Sequence, residues 1–221
     1  MTSLMERFCR FLKKEKTKSV LAFLVYFSII FWILEFDMPS VTKVILGIIQ
    51  FTIVILWYVI CLYEITNDSL SPKKKENKIK LIVKEIAMFI PILIITCFIT
   101  ELFVAGTPVN QASIDSDFGS SPIFYSLVII VFGPIIEEYI FRLLPRKFIK
   151  NKYVYIIFSS TMFAAMHVID DPNAFHYVWF YMMRPIYYGY RYYETDNIWV
   201  PISMHSLNNF IAVLPQMILY F

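Results

Sequence analysis

Long apolar runs separated by short polar connections dominate the chain. The runs lie near 20–34, 44–63, 86–104, 122–141, 153–169, 174–190 and 198–220. Most of them approach the roughly 20 apolar residues that an α-helix needs to cross the hydrocarbon core of a bilayer, which is about 30 Å thick. The pattern therefore predicts an all-α, polytopic transmembrane helix bundle of about seven spans. The first and fifth runs are short enough to be tilted or re-entrant, so a range of six to eight segments stays open.

The composition agrees with a lipid bilayer as the solvent. Hydrophobic residues make up 58% of the 221 residues and charged residues 17%, and the mean hydropathy is +0.62. A soluble domain of this size needs no such apolar excess. We expect one membrane domain, with N-terminal membrane helices in residues 1–121 and a C-terminal core of helices in residues 122–221. The net charge of +3 does not predict a nucleic-acid partner, because the basic residues flank apolar runs.

Lysine and arginine residues are concentrated in alternate connections. Six precede the first run, five lie within 73–80 and five within 142–152, whereas residues 105–121 contain none. Cytoplasmic loops carry the excess of basic residues. The three basic connections are therefore predicted to lie inside the cell, and residues 105–121 outside. The turn at 168–173 then falls outside and the connection at 191–197 inside. This predicts a multi-pass protein of the cell membrane with a cytoplasmic N-terminus and a first run retained as an anchor.

Neither the cysteines nor the adjacent aspartates after the fifth run predict a metal site. The cysteines, Cys9, Cys61 and Cys97, are scattered without ligand-like spacing, so we expect reduced packing residues and no disulfide framework. Asp170 and Asp171 follow the fifth run but precede a proline, which favours a solvated turn.

Ionisable side chains inside apolar runs are concentrated in the C-terminal half. Each costs about 2.5–3.5 kcal/mol to insert at the bilayer centre, so each needs a partner or a water-filled cavity. Glu137 and Glu138 lie in the fourth run, His167 near the end of the fifth, and His205 near the start of the last. Their clustering in successive runs indicates a functional site.

Helical spacing gives these side chains definite relations. Glu138 and Arg142 are four residues apart, so they share a helix face and can form an ion pair. Glu137 points about 100° away from Glu138 and is free to face a neighbouring helix. His205 and Asn209 are also four residues apart and project together. A carboxylate and two imidazoles, one with an amide beside it, can therefore converge from three helices.

Such a set supports more than one chemistry. Amide hydrolysis needs a base that activates water and donors for the developing oxyanion, and Arg142 would leave one glutamate structural and the other free to act as the base. Glu137, His167 and His205 with an open position would equally suit zinc and an activated water. A proton relay in a transporter also fits intramembrane Glu and His side chains, although no inverted repeat is visible.

Three motifs in this order on successive apolar helices resemble the CPBP (CAAX protease and bacteriocin-processing, Abi) family. That family includes the Ras-converting CAAX endopeptidases. The motifs are Glu137-Glu138-x-x-x-Arg142, Phe163-x-x-x-His167 and His205-x-x-x-Asn209. Residues 193–209 also resemble the family's entry into its third motif. The resemblance covers about 122–213, and the N-terminal half shows none.

The resemblance implies a role for each matching residue. Glu137 would activate water with help from His167. His205 and Asn209 would stabilise the oxyanion, although Asn208 could equally be the amide that faces the site.

The remaining motif residues would support the site, and the cofactor stays open. Glu138 and Arg142 would hold the catalytic groups in place, and Phe163 would pack beside them. The family has been described both as metallopeptidases and as metal-independent glutamate peptidases. We favour no obligatory metal, with zinc bound by Glu137 and the two histidines as the alternative.

Together, motifs and resemblance predict an intramembrane endopeptidase with a cavity reached from the cytoplasmic side. Its substrate would be a peptide or a membrane-tethered protein segment, cleaved by glutamate-activated water in peptide maturation or bacteriocin self-immunity. One alternative is a non-catalytic scaffold or immunity protein that binds a toxin or a sensor. A proton-coupled transporter is a third hypothesis.

Two features of this prediction need a structural answer. Arg184 lies inside the sixth run and requires a partner, for which Glu101, Glu138 or a substrate carboxylate are candidates. His167 lies about 22 Å along a helix that begins at residue 152, whereas Glu137 is only about 8 Å from residue 142. The two can meet only if the fourth helix continues towards residue 145, or if the fifth is tilted or begins inside.

Overall fold

The computed structural model describes residues 52, 55–66, 77–104, 106–119 and 121–220. Every regular element among them is helical, so the all-α class is confirmed. The predicted span at 20–34, the lysines at 73–75 and Cys9 lie outside the described residues. The chain divides into two compact units, Met1–Glu64 and Ile65–Phe221, and the candidate site lies entirely within the second.

Seven helices occur in the described part of the chain. They are α1 (Ile55–Thr66), α2 (Lys78–Phe103), α3 (Val109–Phe118), α4 (122–148), α5 (Lys152–Val168), α6 (Ala174–Thr195) and α7 (Trp199–Tyr220). Six of them coincide with predicted apolar runs. Helix α3 lies in the connection that we expected to be a loop.

The polar helix α3 is fixed by a side chain from a distant turn. Oδ2 of Asp171 accepts from the backbone N–H of Val109 at 2.9 Å, and its Oδ1 accepts from the N–H of Asn173 at 2.7 Å. A carboxylate at the first N–H of a helix satisfies a donor that has no partner within the helix. Asp171 is therefore a buried cap, and the expectation of a solvated turn was wrong for this residue.

Helix α4 alternates between α-helical and π-helical turns. Its segments are Pro122–Leu127, Val128–Phe132 (π), Gly133–Glu138, Tyr139–Leu143 (π) and Leu144–Phe148. The helix thus continues past residue 142, which removes the mismatch in depth. At about 1.5 Å per residue, Glu137 lies about 16 Å from the end of α4 and His167 about 22 Å along α5. Only residues 149–151 separate the two helices, so both distances are measured from nearly the same level.

Close packing brings the site helices together. Phe89 and Leu93 of α2, Tyr188 of α6, and Val200 and Met204 of α7 form one buried cluster. Where α5 and α6 approach most closely, a Cβ added to the glycine at position 189 would lie 3.2 Å from the serine hydroxyl at position 159. Small residues at such a contact allow helix backbones to approach.

One described helix, α2, is long and apolar enough to cross a membrane by length and composition. Helix α5 has 17 residues, and α6 and α7 contain the polar residues of the candidate site, which lower their mean hydropathy. The predicted seven spans are therefore not established. Large apolar side chains nevertheless lie exposed on α2, such as Ile94 at 64% and Phe98 at 64%. A wide apolar outer surface is unusual for a soluble monomer.

Connections that the charge pattern places on one side also lie at one end of the second unit. The ammonium group of Lys152 donates to Glu194, which raises the pKa of Lys152, and the hydroxyl of Tyr193 donates to the carbonyl of Lys150. At the other end, Asp171 binds the start of α3. Which end is cytoplasmic remains a prediction.

Candidate active site

A glutamate from α4 and two histidines from α5 and α7 converge at the centre of the site. Oε2 of Glu137 lies 3.7 Å from Nε2 of His167 and 3.7 Å from Nε2 of His205. These separations exceed a direct hydrogen bond, for which 2.7–3.2 Å is typical. Oε2 is buried and has no hydrogen-bond partner among the described residues. A group held so close to two imidazoles, yet bonded to neither, can interact with a small molecule between them.

The other nitrogen of each imidazole is held by the protein. Nδ1 of His167 lies 2.8 Å from the carbonyl oxygen of Phe163, one turn earlier in α5. Nδ1 of His205 lies 2.9 Å from Oε1 of Glu138. A carbonyl or carboxylate oxygen only accepts, so both Nδ1 atoms donate. This leaves both Nε2 atoms facing Glu137, an arrangement typical of catalytic or metal-binding histidines.

Glu138 is buried between the guanidinium of Arg142 and the imidazole of His205. Its side chain is 0% exposed, and its Oε2 lies 3.4 Å from Nε of Arg142, which is also 0% exposed. The ion pair expected from the spacing of four residues is thus present. A buried carboxylate needs such a partner, because burial removes the solvation that stabilises its charge. Glu138 therefore connects Arg142 to His205 and fixes the orientation of that imidazole.

Phe163 forms a wall against both histidines. Its ring stacks on that of His167 with centroids 4.2 Å apart, and meets that of His205 edge-on at 5.4 Å. The guanidinium of Arg142 lies over the same ring, 5.1 Å from its centroid. The side chain thus restrains three polar groups without donating a hydrogen bond to any of them.

Asn209 is positioned by a backbone carbonyl that a proline leaves free. In the π-helical turn of α4, the N–H of Gly133 donates to the carbonyl of Val128. The next carbonyl, that of Ile129, would accept from residue 134, but Pro134 has no N–H. Nδ2 of Asn209 donates to it at 2.9 Å instead.

The neighbouring amide completes this arrangement. Nδ2 of Asn208 donates to Oδ1 of Asn209 at 3.0 Å, and both side chains line the site. Because the oxygen of Asn209 is occupied and one of its two N–H groups binds Ile129, its second N–H is the one left for a ligand. The structure thus shows Asn208 orienting Asn209, and each of the two amides keeps one N–H beyond these contacts.

The site opens into a cavity of about 570 Å³. This volume lies in the range that holds a small ligand or a short peptide segment. The lining runs from the glutamate and histidines to residues of the segment 104–111, at the end of the helices that also carries Asp171. The charge pattern predicts that end to be outside. The N-terminal part of α6 and α3 border the cavity, and access from the cytoplasmic side stays a prediction.

Arg184 also lines this cavity, but neither of its expected carboxylate partners binds it. Its Nε donates to Oγ1 of Thr96 at 3.0 Å, and its Nη2 lies 3.4 Å from Sγ of Cys97. Both partners belong to α2. The predicted pairing with Glu101 or Glu138 was therefore wrong, because Glu138 is occupied by Arg142 and His205.

Two tyrosines of α6 contribute to the site although they lie outside the motifs. The ring of Tyr181 lies 5.2 Å from that of His167, and Tyr188 stacks on His205 at 5.6 Å. The aromatic-rich stretch around them suggested an interfacial belt and helix packing. The spacing of seven residues, which places both on one helix face with Arg184 between them, is the signal that could have identified them.

The side chains at the centre are of the types that bind zinc, and whether a metal takes part stays a prediction. Among the described residues, no group of three or more His, Cys, Asp and Glu side chains is arranged to hold a metal ion. The carboxylate and the imidazoles approach one another without forming a closed ligand set. We therefore derive no chemical step through a metal.

A carboxylate, two oriented imidazoles and an amide around a cavity are groups that amide hydrolysis can use. In agreement with this chemistry, residues 119–211 match the family model "Type II CAAX prenyl endopeptidase Rce1-like", which spans less than half of the chain. The match confirms the CPBP resemblance for this segment, and it contains all three motifs. The family is a protease family of membrane proteins. No curated protein and no solved structure matches the chain.

Proposed function

We propose that this protein is an intramembrane endopeptidase that uses Glu137 to activate water. The observation that carries the proposal is the convergence of its Oε2 on two Nε2 atoms, each at 3.7 Å, in a cavity that can hold a peptide segment. The protease family that matches residues 119–211 supports a peptide or protein substrate.

The reaction follows from the roles of the named atoms. A water molecule between Glu137 and His167 loses a proton to the carboxylate, and its oxygen forms a bond to the carbonyl carbon of the substrate. The oxyanion accepts from the second N–H of Asn209 and from Nε2 of His205, which carries a proton in the imidazolium form. Glu138 stabilises that form at Nδ1. The proton on Glu137 then passes to the amide nitrogen as the C–N bond breaks.

We further propose a multi-pass protein of the cell membrane with a cytoplasmic N-terminus, acting on a peptide or a membrane-tethered segment. The grouping of Lys150, Lys152 and Glu194 at one end, and of Asp171 with α3 at the other, supports the alternation of loops on which this topology depends. Peptide maturation or bacteriocin self-immunity would supply such substrates.

Replacing His167 tests the peptidase proposal against the immunity-protein and transporter hypotheses. His167→Ala should lower hydrolysis of a peptide pool about 100- to 1,000-fold in protein reconstituted into liposomes, because Glu137 loses its partner at the water. The measurement is mass spectrometry of the products over time. His176→Ala is the matched control, since His176 is exposed and absent from the cavity lining, and should stay within about threefold.

Unchanged cleavage by His167→Ala would contradict the mechanism. If no peptide is cleaved by the wild type and immunity in cells survives Glu137→Gln, the non-catalytic immunity hypothesis replaces the peptidase. Proton-coupled flux across the same liposomes, abolished by Glu137→Gln, would instead assign the site to a transporter.

The proposed reaction needs no obligatory zinc. Prolonged treatment with a chelator should therefore leave the turnover number within about twofold of the untreated protein, because Glu137 rather than a metal-bound hydroxide supplies the base. Elemental analysis of the active sample provides the second measurement. Loss of activity that returns with zinc, together with one zinc per chain, would establish a metallopeptidase with His167 and His205 as ligands.

A further inference from the structure

Arg184 is a cation near the middle of α6 that lacks a carboxylate partner. Within the described residues, its recorded contacts are with the hydroxyl of Thr96 and the thiol of Cys97, both neutral. The hydroxyl of Thr96 is itself committed, because it donates to the carbonyl of Leu93 at 3.0 Å. A guanidinium has five N–H donors, so these contacts leave several of them unused. A charged group in the interior of a membrane protein usually has a counter-ion.

The position of Arg184 links it to the catalytic groups. It lies three residues after Tyr181 and four before Tyr188, so the three share one face of α6. Those two tyrosines contact His167 and His205 respectively. Arg184 therefore lines the same cavity as Glu137 and the two histidines, and the hydroxyl of Thr96 on α2 accepts from its Nε.

We propose that Arg184 binds a carboxylate of the substrate and thereby positions the scissile bond at Glu137. The inference rests on the proposed peptidase function and adds a subsite for an anion to it. A planar guanidinium binds a carboxylate through two parallel hydrogen bonds, which neutral partners on α2 leave available. The carboxylate comes from the C-terminus of a peptide or from an acidic side chain, since both present the same group.

Charged groups elsewhere in the cavity favour this location for the anion. Among the described residues, Glu101 lines the cavity but forms no ion pair with Arg184, and Glu137 lies beside the two histidines. A substrate carboxylate near either glutamate would be repelled, whereas one at Arg184 would be attracted. Arg184 is thus the cationic group of the cavity lining best placed to receive an anion.

Binding measurements can test the subsite independently of hydrolysis. The probes are three pools of fluorescent apolar octapeptides: one with a free C-terminal carboxylate, one with a C-terminal amide, and one amidated with an internal glutamate. The full-length Glu137→Gln protein in nanodiscs binds each pool without turning it over. We expect the free-acid pool to bind about 10- to 100-fold more tightly than the amide pool. Charge-assisted hydrogen bonds of this kind increase affinity by about that factor. Adding Arg184→Gln should abolish that preference.

Further variants separate binding from folding. Arg184→Lys keeps the charge but not the paired donors and should retain a smaller preference. Arg146→Gln is the matched control, because that guanidinium lies over Tyr193 at the other end of the helices, and should leave the preference intact. In hydrolysis assays, Arg184→Gln should raise KM for the free-acid pool about 10- to 100-fold with little change in kcat.

The outcomes distinguish the two proposals. Equal binding of free-acid and amide pools, with no gain from the internal glutamate, would overturn the subsite, as would a folded Arg184→Gln protein that keeps the preference. An Arg184-dependent preference for the internal glutamate would support the subsite and assign the anion to a side chain. If the preference exists but the wild type cleaves none of the pools, the subsite stands and the peptidase proposal fails.

Discussion

Glu137→Gln should reduce kcat for peptide hydrolysis by about 1,000- to 10,000-fold. Glutamine has almost the same size as glutamate but cannot take a proton from water. Oε2 of Glu137 is the buried acceptor nearest to both Nε2 atoms, so its loss removes the base from the centre of the site. The loss should appear in kcat with little change in KM, because the carboxylate transfers protons during the reaction and does not hold the substrate in the ground state.

A matched carboxylate tests whether the effect is specific. Asp170→Asn changes an exposed carboxylate one turn beyond His167, and hydrolysis should remain within about threefold of the wild type. Unfolding curves for both variants should resemble that of the wild type. If Glu137→Gln kept more than a tenth of the wild-type kcat, another group would have to be the base, and the mechanism would be wrong.

The convergence of the catalytic groups was predictable because helical spacing controls it. A spacing of four residues places Glu138 and Arg142 on one face, and the structure shows them paired at 3.4 Å. The adjacent Glu137 then points towards the neighbouring helices, where the two histidines lie. The catalytic roles themselves came from the family resemblance and stay predictions until tested by hydrolysis.

The details that orient the site depend on backbone geometry, which apolar periodicity does not reveal. The π-helical turn before Gly133 and the missing N–H of Pro134 free the carbonyl of Ile129, and this carbonyl fixes Asn209. The Gly-Pro pair was visible in the sequence. Its consequence was not, because periodicity cannot tell whether a proline kinks the helix or is accommodated by a wider turn.

Long-range partners were the other part that the sequence could not supply. Arg184 binds Thr96, which is 88 residues earlier and lies outside the segment with family resemblance. In the same way, buried Glu85 of α2 pairs with Arg191 of α6, which was expected to lie in a polar connection. Helix α2 therefore belongs to the structural unit of the site, although its sequence carries none of the motifs. Only the packing of helices determines such pairs.

Arg142→Leu should destabilise the folded protein by about 3–5 kcal/mol. The substitution leaves Glu138 buried, with His205 as its remaining polar partner, so that a carboxylate loses the cation that compensates its burial. It also removes the guanidinium from the ring of Phe163. The measurement is the free energy of unfolding in mixed micelles, followed by tryptophan fluorescence as the fraction of denaturing detergent increases.

A second substitution can show that the uncompensated charge is the cause. Glu138→Gln together with Arg142→Leu removes both charges but keeps an oxygen that accepts from Nδ1 of His205, so the double variant should be more stable than Arg142→Leu alone. Arg146→Gln, at the end of α4, is the control for loss of an arginine and should change stability by less than about 1 kcal/mol. A double variant as unstable as the single one would mean that the side chain of Arg142 acts through packing, with Phe163 as the principal contact. Stability that recovers while hydrolysis does not would separate two functions of Glu138, its ion pair with Arg142 and its contact with Nδ1 of His205 in the proposed reaction.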